Sequence, residues 1–225
     1  IEHRLMVGDQ TKWVREKAYL EFNDAGELLG GFGITQDITE RKQAEETLKK
    51  SLERVAIISD TASQLLMSQT PQLLVEALCH RVMEHLDCHT FFNYLVDDVK
   101  NCLRLNAYSG IPEDIAKEIH FLDYGVAVCG CAARDACRIV AENIPATPDI
   151  RTDLVRSFGI TAYACHPLFS LGQVIGTLSF GTRSRLTFTE DELSLMKTVA
   201  EQVAIAMERT RLLQSERERA DEMER

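Results

Sequence analysis

Three of the chain's seven cysteines lie within nine positions, at Cys129, Cys131 and Cys137. Thiolates bind soft metals and react with oxidants, so such a cluster could form a metal site or a redox centre. Zinc sites usually separate paired cysteines by about two to four residues, and the single residue between Cys129 and Cys131 departs from that pattern. Two residues apart on a helix, these side chains also point to nearly opposite sides. The pattern therefore favours separate thiols or small core side chains over a shared metal ion.

A second stretch, YACHPL, places Cys165 next to His166. If it forms a strand, alternation puts Tyr163 and Cys165 on one face and Ala164 and His166 on the other. Only one of the two adjacent groups can then face the helices that cover the sheet. Thiolate and imidazole are both donors that suit iron, so each is a candidate cofactor ligand.

Composition limits the classes of function. The 225 residues are 45% hydrophobic, enough to bury a core, and the net charge of -10 argues against a general nucleic-acid binder. Apolar runs such as 203–207 are far shorter than the roughly 20 residues of a membrane span, and residues 1–5 do not begin a signal peptide. Reduced thiols fit an odd cysteine count without an export signal. We therefore expect a cytoplasmic protein without a membrane segment, and the missing Met start suggests a fragment of a longer chain.

The elements that position these groups can be predicted from patterning. Residues 1–39 predict strands joined by the turn NDAG at 23–26. This hairpin ends in GITQDITERKQAEE and resembles the C-terminal end of a PAS domain, whose last strand runs through a DIT motif into a helix. Asp37 and Glu40 have the spacing of a capping box, which predicts a signalling linker helix over 40–54.

The rest of the chain predicts an α+β domain. A helix over 70–86 is followed by five or six strand candidates separated by Gly, Pro and Asp turns. A final helix begins at TEDE, where Thr189 and Glu192 form another capping box, and continues to Arg225. The simplest layout is an antiparallel sheet of about six strands with flanking helices.

Three segments carry a more specific resemblance. They are YGVAVCGCAARDACRIVAENI, DLVRSFGITAYACHPLFSLGQVIGTLSFGTR and FTEDELSLMKTVAEQVAIAMER, and in this order they resemble a GAF domain over residues 55–213. The resemblance is closest to GAF domains that follow PAS domains in sensor histidine kinases. It implies a regulatory module, not itself an enzyme, with residues 214–225 leading to a kinase module beyond Arg225 in the same chain.

In such domains a small-molecule ligand or cofactor occupies the gap between the helix that carries Cys129 and the strand that carries Cys165. The resemblance therefore implies a pocket between these two elements. Its predicted binding residues are Phe91, Tyr94, Cys129, Cys131, Tyr163, Cys165, His166 and Phe180.

Three other functions remain open for this pocket. Some GAF domains in sensor kinases hold haem, and Cys129, Cys131, Cys165 and His166 are the candidate iron ligands, although no C-x-x-C-H attachment motif is present. Free methionine sulfoxide reductases share the fold and a GVCG stretch similar to VAVCGCAA, but the loop PATPDIRTDLVRS lacks the cysteine that attacks in that family. Bilin-binding GAF domains also carry a Cys-His pair, but on a helix.

The two terminal helices predict a parallel homodimer. Apolar residues recur at 3-4 spacing from Leu48 to Leu66 and again from Val199 to Leu213. Each pattern could instead be the face of a helix that lies on its own domain.

Overall fold

The computed structural model describes residues 1–8, 10–46 and 71–223, and the side chains at 71–74, 214–218 and 220–223 are outside that description. The chain forms two compact units, residues 1–56 and 57–225.

The first unit is a three-stranded antiparallel sheet in the order β1-β2-β3. Its strands are β1 (Glu2–Val7), β2 (Gln10–Phe22) and β3 (Leu28–Asp37). The predicted turn is present, because the side-chain oxygen of Asn23 accepts hydrogen bonds from the backbone N–H groups of Ala25 and Glu27. Helix α1 (39–46) begins just after Asp37, whose carboxylate accepts the backbone N–H of Thr39. The PAS identity of this sheet stays a prediction, and residues 47–54 of the predicted linker helix lie outside the described residues.

The second unit contains the six-stranded antiparallel sheet that the sequence predicts. The strand order is β6-β5-β4-β9-β8-β7. Its helices and strands are α2 (Pro71–His85), β4 (Thr90–Asp97), β5 (Cys102–Ser109), α3 (Glu113–Glu118), β6 (Phe121–Leu122), α4 (Ala127–Asp135), β7 (Ile139–Ala141), a 3-10 turn (Ile150–Thr152), α5 (Asp153–Ser157), β8 (Ala162–Ser170), β9 (Gln173–Thr182) and α6 (Glu190–Met223).

Each face of this sheet supports its own core because side chains alternate along every strand. On one face, the sheet packs against α2 and α6 in a core that includes Val82, Phe91, Leu168, Phe180, Met196 and Val203. On the other face, a second core joins the sheet to α3, α4 and α5 and includes Phe92, Tyr94, Ala132, Val155, Tyr163 and Cys165. The sheet is thus a layer between two sets of helices.

The predicted capping box at the start of α6 is confirmed. The Thr189 hydroxyl accepts the backbone N–H of Glu192 at 3.3 Å, and the Glu192 carboxylate accepts the backbone N–H of Thr189 at 2.7 Å. Within the described residues, no helix is long and apolar enough to cross a membrane.

Candidate functional site

A small cavity lies between the N-terminal half of α4 and the sheet. Its free volume is about 10 Å³, room for roughly one water molecule. The lining is apolar apart from a thiol and two phenolic hydroxyls, and consists of Phe92, Tyr94, Ile119, Leu122, Ala127, Val128, Cys129, Leu154, Val155 and Tyr163. A larger ligand can enter only if these side chains move apart.

Gly130 explains how α4 comes to lie so close to the preceding turn. A Cβ atom at this position would overlap the carbonyl oxygen of Asp123. The close approach is held by backbone bonds, in which Gly130 donates to Val126 at 3.0 Å and Gly125 donates to Gly130 at 2.9 Å. The adjacent Cys129 is thereby buried against the sheet, in the first turn of the helix.

Cys129 joins a buried chain of hydroxyl groups. Its Sγ lies 3.3 Å from the Tyr163 hydroxyl oxygen and 3.5 Å from Ser179 Oγ. The Tyr163 O–H donates to Ser179 Oγ at 2.6 Å, and the Ser179 hydroxyl donates to the carbonyl of Phe92 at 3.1 Å. Ser179 pairs with Cys165 across β8 and β9, so a second thiol belongs to the same cluster. The site is a hydrogen-bonded polar cluster inside an apolar core.

The pKa values of the two thiols are displaced in opposite directions. A hydrogen bond with Cys165 is the main cause that lowers the pKa of Cys129 to about 7, and bonds with Ser179 and Tyr163 add to it, while burial opposes them. Burial raises the pKa of Cys165 well above its usual range. The electropositive first turn of a helix also favours a thiolate. Cys129 is therefore the nucleophilic member of the pair.

Four of the eight predicted binding residues lie together around this site. Tyr94, Cys129 and Tyr163 line the cavity, and Cys165 belongs to the same core. The alternation predicted for YACHPL holds, because Cys165 is in this core whereas Ala164 is in the opposite one.

The placement of Phe91, Phe180 and His166 in one pocket with these residues is wrong. Phe91 and Phe180 are direct cross-strand partners, and both belong to the core that packs against α2 and α6. His166 follows Cys165 on the strand and faces α6, where it is only 4% exposed. Period-2 alternation puts all three on the face away from the cavity.

Cys131 also does not reach the cavity. It is buried, and its thiol donates to the carbonyl of Gly125 at 3.1 Å, which ties the helix to the turn before it. The sequence prediction missed Phe92, Ser179 and the rim of the cavity at Ile119 and Leu154. Phe92 could have been found from its two-residue spacing to Tyr94, but the rim comes from loops and short helices that no periodicity places.

A haem group does not fit the four candidate ligands as they are arranged. His166 lies on the opposite face of the sheet from Cys129 and Cys165, and Cys131 is bonded to a backbone carbonyl. A free volume of about 10 Å³ is also far below the several hundred Å³ typical of cofactor sites. In the described ranges, no group of three or more His, Cys, Asp or Glu could hold a metal ion.

The domain is thus a sheet with a helix-covered cavity on one face and the helices α2 and α6 on the other. Residues 68–208 match the GAF domain family, and the chain belongs to that family. The predicted GAF resemblance is thus confirmed.

One curated relative is the "Methyl sulfide methyltransferase-associated sensor" of Methanosarcina acetivorans, 28% identical over 218 residues. The match covers 92% of this chain and 21% of the relative, so the chain spans about a fifth of the length of that sensor.

Solved structures share the fold. The free methionine-R-sulfoxide reductase of Neisseria meningitidis, solved with its substrate, has a TM-score of 0.62 at 21% identity and covers 73% of this chain and 93% of its own. The GAF domain of a phosphoenolpyruvate-protein phosphotransferase from Coxiella burnetii has a TM-score of 0.63 at 17% identity, covering 73% and 98%. At these identities the likeness concerns the fold alone.

Proposed function

We propose that this GAF domain is the sensory module of a signalling protein, in which the state of the cavity beside Cys129 is passed through β8 to α6. The observation that carries the proposal is the position of β8 between the two cores. Tyr163 and Cys165 face the cavity side, whereas Ala164 and Leu168 pack in the core that includes α6. Strand β8 therefore contributes side chains both to the core around the cavity and to the core that includes α6.

This arrangement gives a ligand a route to the output helix. Protein interiors are packed as densely as organic crystals, so a group larger than about one water molecule must displace a wall of the cavity. Displacement of Tyr163 moves Ala164, and with it the surface on which the buried Met196 and Val203 of α6 rest. A signal results only if two arrangements of α6 differ in their affinity for the occupant.

Whether a change in the cavity alters α6 can be tested by attaching a small group covalently to Cys129. Methyl methanethiosulfonate converts Cys129 into its S-methylthio form, which adds a group that the closed cavity does not accommodate. All samples carry Cys137→Ser, because Cys137 is exposed and would react as well. We expect faster amide hydrogen exchange in α6 over 193–203, with β1–β3 unchanged. The matched control adds Cys129→Ser. Full labelling of Cys129 with no change in α6 would contradict the proposal.

The wider context is part of the same proposal. We infer that a PAS domain ends within residues 1–39, that a linker helix follows over 40–54, and that a histidine kinase module lies after Arg225 in the cytoplasmic protein. The sensor relative and its much greater length support this inference. Full-length protein incubated with radiolabelled ATP should gain an acid-labile phosphoryl group on histidine. Full-length protein that binds ATP but never becomes labelled would refute the kinase assignment.

We also infer a homodimer, but only part of the apolar pattern from Val199 to Leu213 is available for its interface. Val199 and Val203 are buried in their own domain, so they cannot form an intermolecular contact. The exposed apolar residues of α6 begin at Ile205 and include Leu212 and Leu213. The first apolar pattern, 48–66, lies outside the described residues. Light scattering at tens of micromolar should give twice the chain mass, and a single-chain mass would exclude this dimer.

Catalysis by the domain itself is tested separately. The loop 142–152, which follows β7, contains no cysteine to attack a sulfoxide sulfur. We therefore expect no reduction of free methionine-R-sulfoxide in the presence of dithiothreitol. Turnover that disappears in Cys129→Ser would make the domain a reductase.

A further inference from the structure

We propose that Cys129 and Cys165 form a peroxide-reactive thiol pair, in which Cys129 is oxidised by a hydroperoxide and Cys165 then closes a disulfide between α4 and β8. The proposal deepens the sensory function, on which it rests, because it names the chemical class of signal. The pairing itself is a chemical property and can be measured without any signalling readout.

The geometry supplies both members of the pair and their polar surroundings. The Cys129 sulfur lies 3.5 Å from Ser179 Oγ, Ser179 is the cross-strand partner of Cys165, and both cysteines belong to one core. A disulfide needs a Cα separation of roughly 4.4 to 6.8 Å, and α4 already approaches β8 with Cα atoms within 8 Å. The hydroxyls of Tyr163 and Ser179 lie within 3.5 Å of the Cys129 sulfur and can turn to donate to it when it is ionised.

The cavity provides the approach for a small oxidant. Its rim consists of the half-buried residues Ile119, Ala127 and Leu154, and its floor includes the buried Tyr163 and Cys129. Hydrogen peroxide is close in size to the water that this space admits, whereas bulky oxidants are excluded. The buried thiols of Cys79 and Cys88 belong to the opposite core and do not line this cavity.

The reaction balances as a two-electron oxidation. The Cys129 thiolate attacks one peroxide oxygen, an S–O bond forms and the O–O bond breaks, giving a sulfenic acid and hydroxide or alkoxide. That anion takes up the proton released when Cys129 ionised. The Cys165 sulfur then attacks the sulfenic sulfur, the S–S bond forms, and the hydroxide that leaves combines with the Cys165 proton as water. Two thiols and one hydroperoxide thus give one disulfide, water and, from an alkyl hydroperoxide, the alcohol.

The expected selectivity can be estimated against Cys88. At pH 7 a thiol with a pKa of about 7 is half ionised, whereas burial raises the pKa of Cys88 to about 12. The ratio of thiolate fractions is therefore on the order of 10⁵, and the lower intrinsic nucleophilicity of the less basic thiolate removes roughly two to two and a half powers of ten. Cys129 should react on the order of a hundredfold to a thousandfold faster.

The test uses hydrogen peroxide and non-reducing peptide mapping by mass spectrometry. All samples carry Cys137→Ser, and folding is monitored by circular dichroism. We expect a Cys129–Cys165 disulfide in the parent protein. Adding Cys165→Ser should instead accumulate a dimedone-trapped sulfenic acid at Cys129, and adding Cys129→Ser should abolish both products. Tyr163→Phe should slow the first step and shift its pH profile upward, because the thiolate loses a donor.

The outcomes separate this proposal from the sensory function. Folded protein that forms no Cys129–Cys165 disulfide, or in which Cys88 oxidises as fast as Cys129, overturns the thiol pair. If the disulfide forms but hydrogen exchange in α6 is unchanged, the thiol pair stands and the sensory proposal fails. If no disulfide forms but S-methylthiolation of Cys129 still alters α6, the thiol pair fails and the sensory proposal stands.

Discussion

Protonation of His166 should destabilise the domain between about pH 6.5 and pH 4. Neither ring nitrogen has a hydrogen-bond partner among the described residues, and the side chain is 4% exposed. Burial lowers the pKa of His166 from 6.5 to about 4, and the positive charges of Arg138 and Lys197 contribute, with a weaker opposing effect from the backbone of Leu193. The native state therefore favours the neutral imidazole.

The direction and size of the effect follow from linkage. Between these two pKa values the unfolded chain binds more protons than the native state, so the free energy of unfolding falls as the pH falls. A displacement from 6.5 to about 4 corresponds to about 3 kcal/mol. His166→Leu removes the titrating group and also the two unpartnered nitrogens. As the pH falls through this range, the free energy of unfolding of the parent should therefore decrease by about 3 kcal/mol more than that of the variant.

The assay is urea unfolding at a series of pH values, followed by helical circular dichroism. Fluorescence is unsuitable because the single tryptophan, Trp13, lies in the other compact unit. His85→Leu is the matched control, since it makes the same change of residue type at an exposed position. If the His166→Leu and parent curves run parallel from pH 6.5 to pH 4, the buried neutral imidazole is not the source of the acid sensitivity and the reasoning fails.

Three further outcomes are expected. Thr189→Ala removes the cap of α6 and should cost about 1 kcal/mol in urea unfolding, while Thr198→Ala, at a half-buried position inside the helix that caps nothing, should cost less. Gly130→Val should lower stability by about 1–3 kcal/mol or more because its side chain meets Asp123, and a normal melting temperature would contradict that packing. The free energy of unfolding should fall as the pH rises from about 9 to about 12, because burial raises the pKa of Cys88 and the native state therefore keeps its thiol neutral. Cys88→Ala should make this decrease smaller in the same assay.

Local patterns predicted the fold well because they depend on neighbours in the sequence. Capping at Thr189 and alternation in YACHPL both rest on interactions within about four residues, and both hold. The site was predicted only in part. Alternation shows that Phe91 and Phe92 face opposite ways, but it does not say which face carries the cavity. The rim at Leu154 depends on the packing of a short helix from a distant part of the chain, which has no periodic signal.

The length of α6 determines how the residues at its C-terminal end are oriented relative to the core. Among the side chains that the structure describes, buried positions in this 34-residue helix end at Ala206, and its backbone continues to Met223. Each residue turns an α-helix by about 100° and advances it by about 1.5 Å, so a single residue inserted after Leu213 would leave Met207 packed against the core and rotate everything that follows by more than a quarter turn. In the signalling role proposed above, the number of residues between the core and an attached module would therefore set the rotational orientation of that module.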